Sequence, residues 1–108
     1  MRENKYQSQL IKRIKDKFPG CIIMKNDPTY IQGIPDLTVL HGDKWATLEV
    51  KQSDKASHRP NQDYYVDKMN SMSFSSFISP DNEQEVLDAM EQSFQGRARR
   101  KPRVPRSK

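Results

Sequence analysis

Apolar positions punctuate the chain in two different rhythms. Tyr6, Leu10, Ile14 and Phe18 recur every fourth residue with Ile11 beside them, which predicts an amphipathic helix over residues 3–18. Pro19-Gly20 ends it. The run Cys21-Ile22-Ile23-Met24 is short and apolar and reads as a buried strand, with Cys21 as an ordinary apolar strand residue. Pro28, Gly33 and Pro35 break residues 26–35 into a loop. Residues 36–40 and 45–51 then read as strands around a Gly42-Asp43 turn. After a polar loop at residues 52–59, Pro60 suits the first turn of a second helix, one face of which carries Tyr65, Val66, Met69 and Met72. A further strand is expected over residues 73–79. Pro80 and Asp81 open a third helix that carries Val86, Leu87, Met90 and Phe94. The order helix, three strands, helix, strand, helix predicts an α/β fold, a mixed sheet of about four strands flanked by helices.

The turn converts this pattern into geometry. With Gly42-Asp43 as a two-residue hairpin loop, residues whose numbers sum to 85 face each other. Leu37, Val39, Ala46, Leu48 and Val50 fall on one face, an apolar surface fit for a packed helix. Asp36, Thr38, Thr47, Glu49 and Lys51 fall on the other, with Asp36 opposite Glu49. Like charges set opposite each other repel, and a divalent cation would relieve them. Magnesium takes hard oxygen ligands, often one or two carboxylates with waters and a phosphate oxygen. Asp36 and Glu49 suit such an ion, and the backbone carbonyl of Val50 is a further candidate ligand. Lys51 is placed to hold or deprotonate an attacking water, or to neutralise charge developing on a phosphate. A surface hairpin with an ordinary Glu-Lys charge pattern is the other reading of these residues.

Charge changes the picture once it is located. The 108 residues carry a net +5, yet residues 95–108 hold seven basic residues and no acid. Removing those seven from the 19 Lys and Arg leaves twelve against 14 acidic residues, so residues 1–94 carry about −2. Arg97, Arg99, Arg100 and Lys101 belong to this basic, proline-containing tail, which is expected to be disordered and to track a phosphate backbone, or simply to aid solubility. In the loop after Lys51, Gln52, Lys55, His58 and Arg59 are candidates for phosphate contact or for plain solvation. His41 and His58 have no paired ligand spacing, which argues against zinc. Tyr64 and Tyr65 are candidates for base stacking, at least one of them expected in the core. The five methionines read as packing. A single cysteine excludes an intramolecular disulfide, and no run is long and apolar enough for a membrane span, so an intracellular, cytoplasmic setting is expected.

The motif Pro35-Asp36, followed after twelve residues by Glu49-Val50-Lys51, resembles the PD-(D/E)xK nuclease signature. The longer string Gln32-Gly33-Ile34-Pro35-Asp36, with Glu49-Val50-Lys51 and then Arg59-Pro60-Asn61-Gln62, resembles the VRR-NUC branch, which includes small stand-alone phage and bacterial nucleases. The resemblance covers residues 3–79. It implies a restriction-endonuclease-like α-β-β-β-α-β core, here with an added C-terminal helix, and residues 1–94 as the nuclease domain. It further implies that Asp36 and Glu49 bind Mg²⁺ or Mn²⁺, that Lys51 serves the nucleophilic water and that Gln62 lines the site. An acid on the first helix completes the family's site, and Glu3 is the candidate, although an acid there also suits a helix start. The implied activity is DNA endonuclease cleavage by a homodimer, including branched DNA such as four-way junctions. A non-catalytic DNA-binding protein with the same fold and tail is the alternative.

Overall fold

The computed structural model describes residues 2–96, with side chains from residue 5 onward. Helix α1 (Arg2–Lys17) leads into strands β1 (Ile22–Lys25), β2 (Leu37–His41) and β3 (Lys44–Val50); helix α2 (Pro60–Met72), strand β4 (Phe74–Ile78) and helix α3 (Glu83–Phe94) follow. The strands form one sheet in the order β1-β2-β3-β4. The first three are antiparallel neighbours, and β4 runs parallel to β3 because α2 carries the chain back across the sheet. This is the expected mixed α/β fold. Among the described residues no helix is long and apolar enough to cross a membrane.

The hairpin has the expected register. His41 pairs with Lys44, and the ladder continues through Leu40↔Trp45, Val39↔Ala46 and Thr38↔Thr47 to Leu37↔Leu48. Gly42 supplies the positive φ, +65°, that a tight hairpin loop demands of its first central residue. Leu37, Val39, Ala46, Leu48, Val50 and Ile78 then present a solvent-free face. Leu10 and Ile14 of α1, Phe18 just after it, and Val86, Leu87 and Met90 of α3 close over it as one core cluster. At the hairpin end His41 packs against Phe18 and Phe94, its ring centroid 5.6 Å from each, which gives this histidine a packing role.

Helices α1 and α3 are also joined by charge. Arg13 grips the Glu83 carboxylate through Nε at 2.6 Å and Nη2 at 2.9 Å, and the Tyr6 hydroxyl donates to it at 2.8 Å. The Arg13 guanidinium holds the Glu83 carboxyl below its ordinary value, and burial with the adjacent carboxylate raises that of the Tyr6 hydroxyl.

The opposite face is polar and is covered by α2. Thr47, Glu49 and Ser75 are buried beneath this helix. Thr47 Oγ1 lies 2.8 Å from Ser75 Oγ and 3.4 Å from Met69 Sδ, and the Ser75 amide donates to Asn70 Oδ1. No residue of α2 is buried, so Tyr65, Val66, Met69 and Met72 do not make an enclosed apolar face. Met72 is 64% exposed, and Tyr64 and Tyr65 stand in edge contact outside the core. Strand β1 also departs from expectation. It is an edge strand, and Ile22 and Met24 face solvent because α2 covers β3 and β4 but leaves this side of β1 open. Cys21 lies just before the strand, half-buried, where burial raises its thiol pKa.

The eleven residues between β1 and β2 are tied to α2 at Gly33. Its φ is +93°, and a Cβ there would collide with Asn61 Cβ and stand 2.9 Å from the Asn61 carbonyl carbon. Gly33→Ala is expected to cost about 2–4 kcal/mol by combining an unfavourable φ with a backbone clash. Chemical denaturation measures it, and a change under about 0.5 kcal/mol contradicts the close approach. The Glu83 clamp predicts a pH effect. A carboxyl whose folded pKa is depressed stabilises above its unfolded value and loses that contribution as pH falls through the folded one. Thermal unfolding from about pH 5 downward should therefore show a loss, about 1 kcal/mol for this partly exposed pair, that Glu83→Gln removes.

Candidate active site

Most of the candidate side chains gather where β2 begins and β3 ends. Strand β3 carries Glu49 and Val50, and Lys51 follows at its end, its amide donating to Ile78 O at 2.8 Å so that the parallel ladder extends one residue. Alternation along β3 puts Glu49 beneath α2, where it is 4% exposed. A carboxylate taken out of water needs donors. Gln62, in the first turn of α2, supplies one through Nε2 at 2.9 Å, and Lys51 Nζ lies 3.9 Å away.

Gln62 does more than serve Glu49. Its Oε1 accepts from Lys51 Nζ at 2.8 Å and from the Arg59 amide at 3.1 Å. Lys51 and the Arg59 amide only donate and a carboxylate only accepts, so the network dictates which way the carboxamide points. One side chain thus bridges the lysine, the glutamate and the start of α2. Lys51 Nζ also donates to the Ser57 carbonyl at 3.1 Å.

Asp36 is positioned from three directions. The β2–β3 ladder stops at Leu37↔Leu48, one step short of it, and Asp36 turns so that Oδ2 accepts from the Val50 amide at 2.8 Å. The N–H and C=O of a strand residue project toward the same edge, so the Val50 carbonyl shares the edge that Asp36 occupies. On the other flank, the Asn26 amide donates to Asp36 O at 2.8 Å. The Asn26 carboxamide spans Pro35 O and Thr38 Oγ1, each at 2.9 Å. Asn26 therefore fixes the chain on both sides of the aspartate.

The expected residues separate into groups. Asp36, Glu49, Val50, Lys51 and Gln62 come together. His58 stacks on Phe77 at 3.7 Å and lies 2.9 Å from Asp63 Oδ1, so it pins its loop to β4 and α2. Ser79 Oγ and the Asp81 carboxylate hold Asp54 of the same loop. These ties set the Ser57 carbonyl in front of Lys51. Lys55 and Arg59 are exposed, and Arg59 lines a cleft of about 430 Å³ beside Gln62. The side chain of Glu3, and Arg97, Arg99, Arg100 and Lys101, lie outside the described residues. Asn26 and Ser57 were not anticipated. Asn26 continues the β1–β2 register opposite Asp36, but the nine residues between them hide that register, and Ser57 contributes a backbone atom that no residue type announces.

The donor set is two carboxylates and a backbone carbonyl, all hard oxygens, which fits Mg²⁺ or Mn²⁺ and not a soft or imidazole-seeking metal. No group of three or more His, Cys, Asp or Glu is assembled among the described residues. A cation here would complete its shell with the carbonyl, waters and substrate.

No family model matches the chain, and no curated protein matches it. Among solved structures it is similar to one described as a VRR_NUC domain, at 18% identity over 87% of this chain and 96% of that chain, with a TM-score of 0.53. At that identity the likeness is one of architecture. The chain shares the α/β fold of that domain, a four-stranded mixed sheet flanked by helices.

Proposed function

We propose that this protein is a metal-dependent nuclease that hydrolyses DNA phosphodiester bonds. The observation that carries the reading is the Gln62 carboxamide bridging Lys51 and Glu49, next to an Asp36 whose carboxylate is held on the Val50 amide. Such a network holds charged groups in fixed positions before substrate arrives, and preorganised charge is what phosphoryl chemistry needs. Asp36, Glu49 and the Val50 carbonyl would hold Mg²⁺ or Mn²⁺. When bound, the cation supplies Lewis-acid polarisation of the phosphate and neutralisation of its charge.

The protein's own groups do the rest. Lys51, 13% exposed and held by two acceptors, is aimed to orient an attacking water or to balance charge growing on the phosphate. Gln62 hydrogen-bonds to both members of the Lys51–Glu49 ion pair, whose charged atoms stand 3.9 Å apart, and so fixes their relative positions. Arg59 is exposed beside the site as a phosphate contact, and the basic residues from Arg97 onward would add salt-sensitive affinity. One site per chain cuts one strand, so a homodimer is the economical way to act on branched or duplex DNA.

Purified protein incubated with linear, single-stranded and four-way junction DNA should cleave in Mg²⁺ or Mn²⁺ and not in EDTA. Asp36→Ala and Glu49→Ala should abolish cleavage, and Lys51→Ala should slow it on the order of 10²-fold. Cleavage of none of these DNAs, or cleavage unchanged in the aspartate and glutamate variants, sinks the reading. Gln62→Ala should cost about 10- to 100-fold in activity or in the Mg²⁺ concentration for half-maximal rate. Gln62→Glu should cost more, because it sets a carboxylate against Glu49. A metal titration of the two variants that overlays wild type would remove Gln62 from the site.

A further inference from the structure

Resting on the nuclease reading, we propose that the loop between β1 and β2 is a contact for an unstacked nucleotide beside the cleaved bond, with Tyr30 stacking on the base and Arg59 holding the phosphate. The loop is fixed on both sides of its exposed tip. Asp27 Oδ1 accepts from the Thr29 amide at 2.9 Å and from its hydroxyl at 2.6 Å, and the Tyr30 amide donates to Asp27 O. Farther along, the Ile34 amide donates to Ile31 O, Asn61 Nδ2 reaches Gln32 O, and Gly33 abuts Asn61. Between these ties Tyr30 is 83% exposed and Ile31 36% exposed. An aromatic ring held out on a fixed backbone loses little entropy when it is covered.

The neighbourhood indicates what covers it. Beside the loop, the cleft is lined by Thr29, Gln32, Arg59, Asn61 and Gln62 among others. It offers one guanidinium, three carboxamides and a hydroxyl, groups that pair with phosphate oxygens and base edges. Gln62 belongs to both the cleft and the catalytic network, so a chain cut at Asp36 and Glu49 passes this cleft on one side. A base inside a duplex has both faces covered by its neighbours. A base in a single strand or at a branch point has a free face, and stacking on an aromatic side chain is then favourable whatever the base. Tyr30 therefore selects for unpaired nucleotides.

The test measures binding by the full chain in Ca²⁺, with 2-aminopurine at the unpaired position of a single strand and of a branched duplex. A fully paired duplex of equal length serves as control. Tyr30→Ala should weaken binding to the single strand and the branch by roughly 5- to 150-fold and abolish the 2-aminopurine change. The paired duplex should stay within about twofold, and Tyr30→Phe should behave as wild type. Arg59→Ala should weaken all three DNAs and lower the salt slope by about one. Circular dichroism of each variant reports folding, which an exposed Tyr30 should not affect. Tyr30→Ala that binds every DNA like wild type, or weakens paired and unpaired DNA equally, overturns the inference, as does failure of Tyr30→Phe. Binding of DNA without cleavage in Mg²⁺ would instead overturn the nuclease reading alone. No binding of any DNA by the wild-type chain overturns both.

Discussion

Glu49 is a carboxylate placed almost entirely out of water, and the arrangement of the site follows from answering it. Its partner, Gln62, must come from an element lying over the polar face of the sheet, so α2 has to cross there. The same carboxamide must then satisfy its oxygen, and Lys51 and the amide at the start of α2 do so. The loop between Lys51 and α2 must in turn be held, which His58, Asp54 and Ser79 achieve. Each requirement passes to the next residue until the network reaches the core.

The sheet keeps two kinds of stabilisation apart. One face buries aliphatic side chains under α1 and α3, where the hydrophobic effect supplies the driving force. The other buries hydroxyls and a carboxylate under α2, where hydrogen bonds supply specificity and little net energy. Strand β3 belongs to both worlds. Val50 anchors in the core while Glu49 and Lys51 on either side of it belong to the candidate site, so these groups inherit the rigidity of the aliphatic layer.

What the sequence revealed follows the same division. The hairpin register was legible because a two-residue loop leaves one pairing, and five observed pairs obey it. The apolar faces of α1 and α3 were legible because both helices pack on a hydrophobic surface. Helix α2 was legible from Pro60 onward, but the shallow burial of its face was not, since it packs on a polar surface and its apolar residues stay partly exposed. The exposure of β1 was hidden because Cys21 to Met24 look the same at an edge as in the middle of a sheet. Asp36, Glu49 and Lys51 were visible in the hairpin pattern, and Gln62 only through a resemblance. Asn26 and the Ser57 carbonyl depend on how long loops fold back, and no local pattern encodes that.

The absence of any buried residue in α2 has a thermodynamic consequence. An element whose residues are at most partly buried is expected to open locally at a lower cost than unfolding of the whole domain. Detachment would carry Gln62 away while Glu49 and Lys51 remained on the intact sheet. The integrity of the candidate site would then depend on the docking equilibrium of a single helix as well as on the stability of the core.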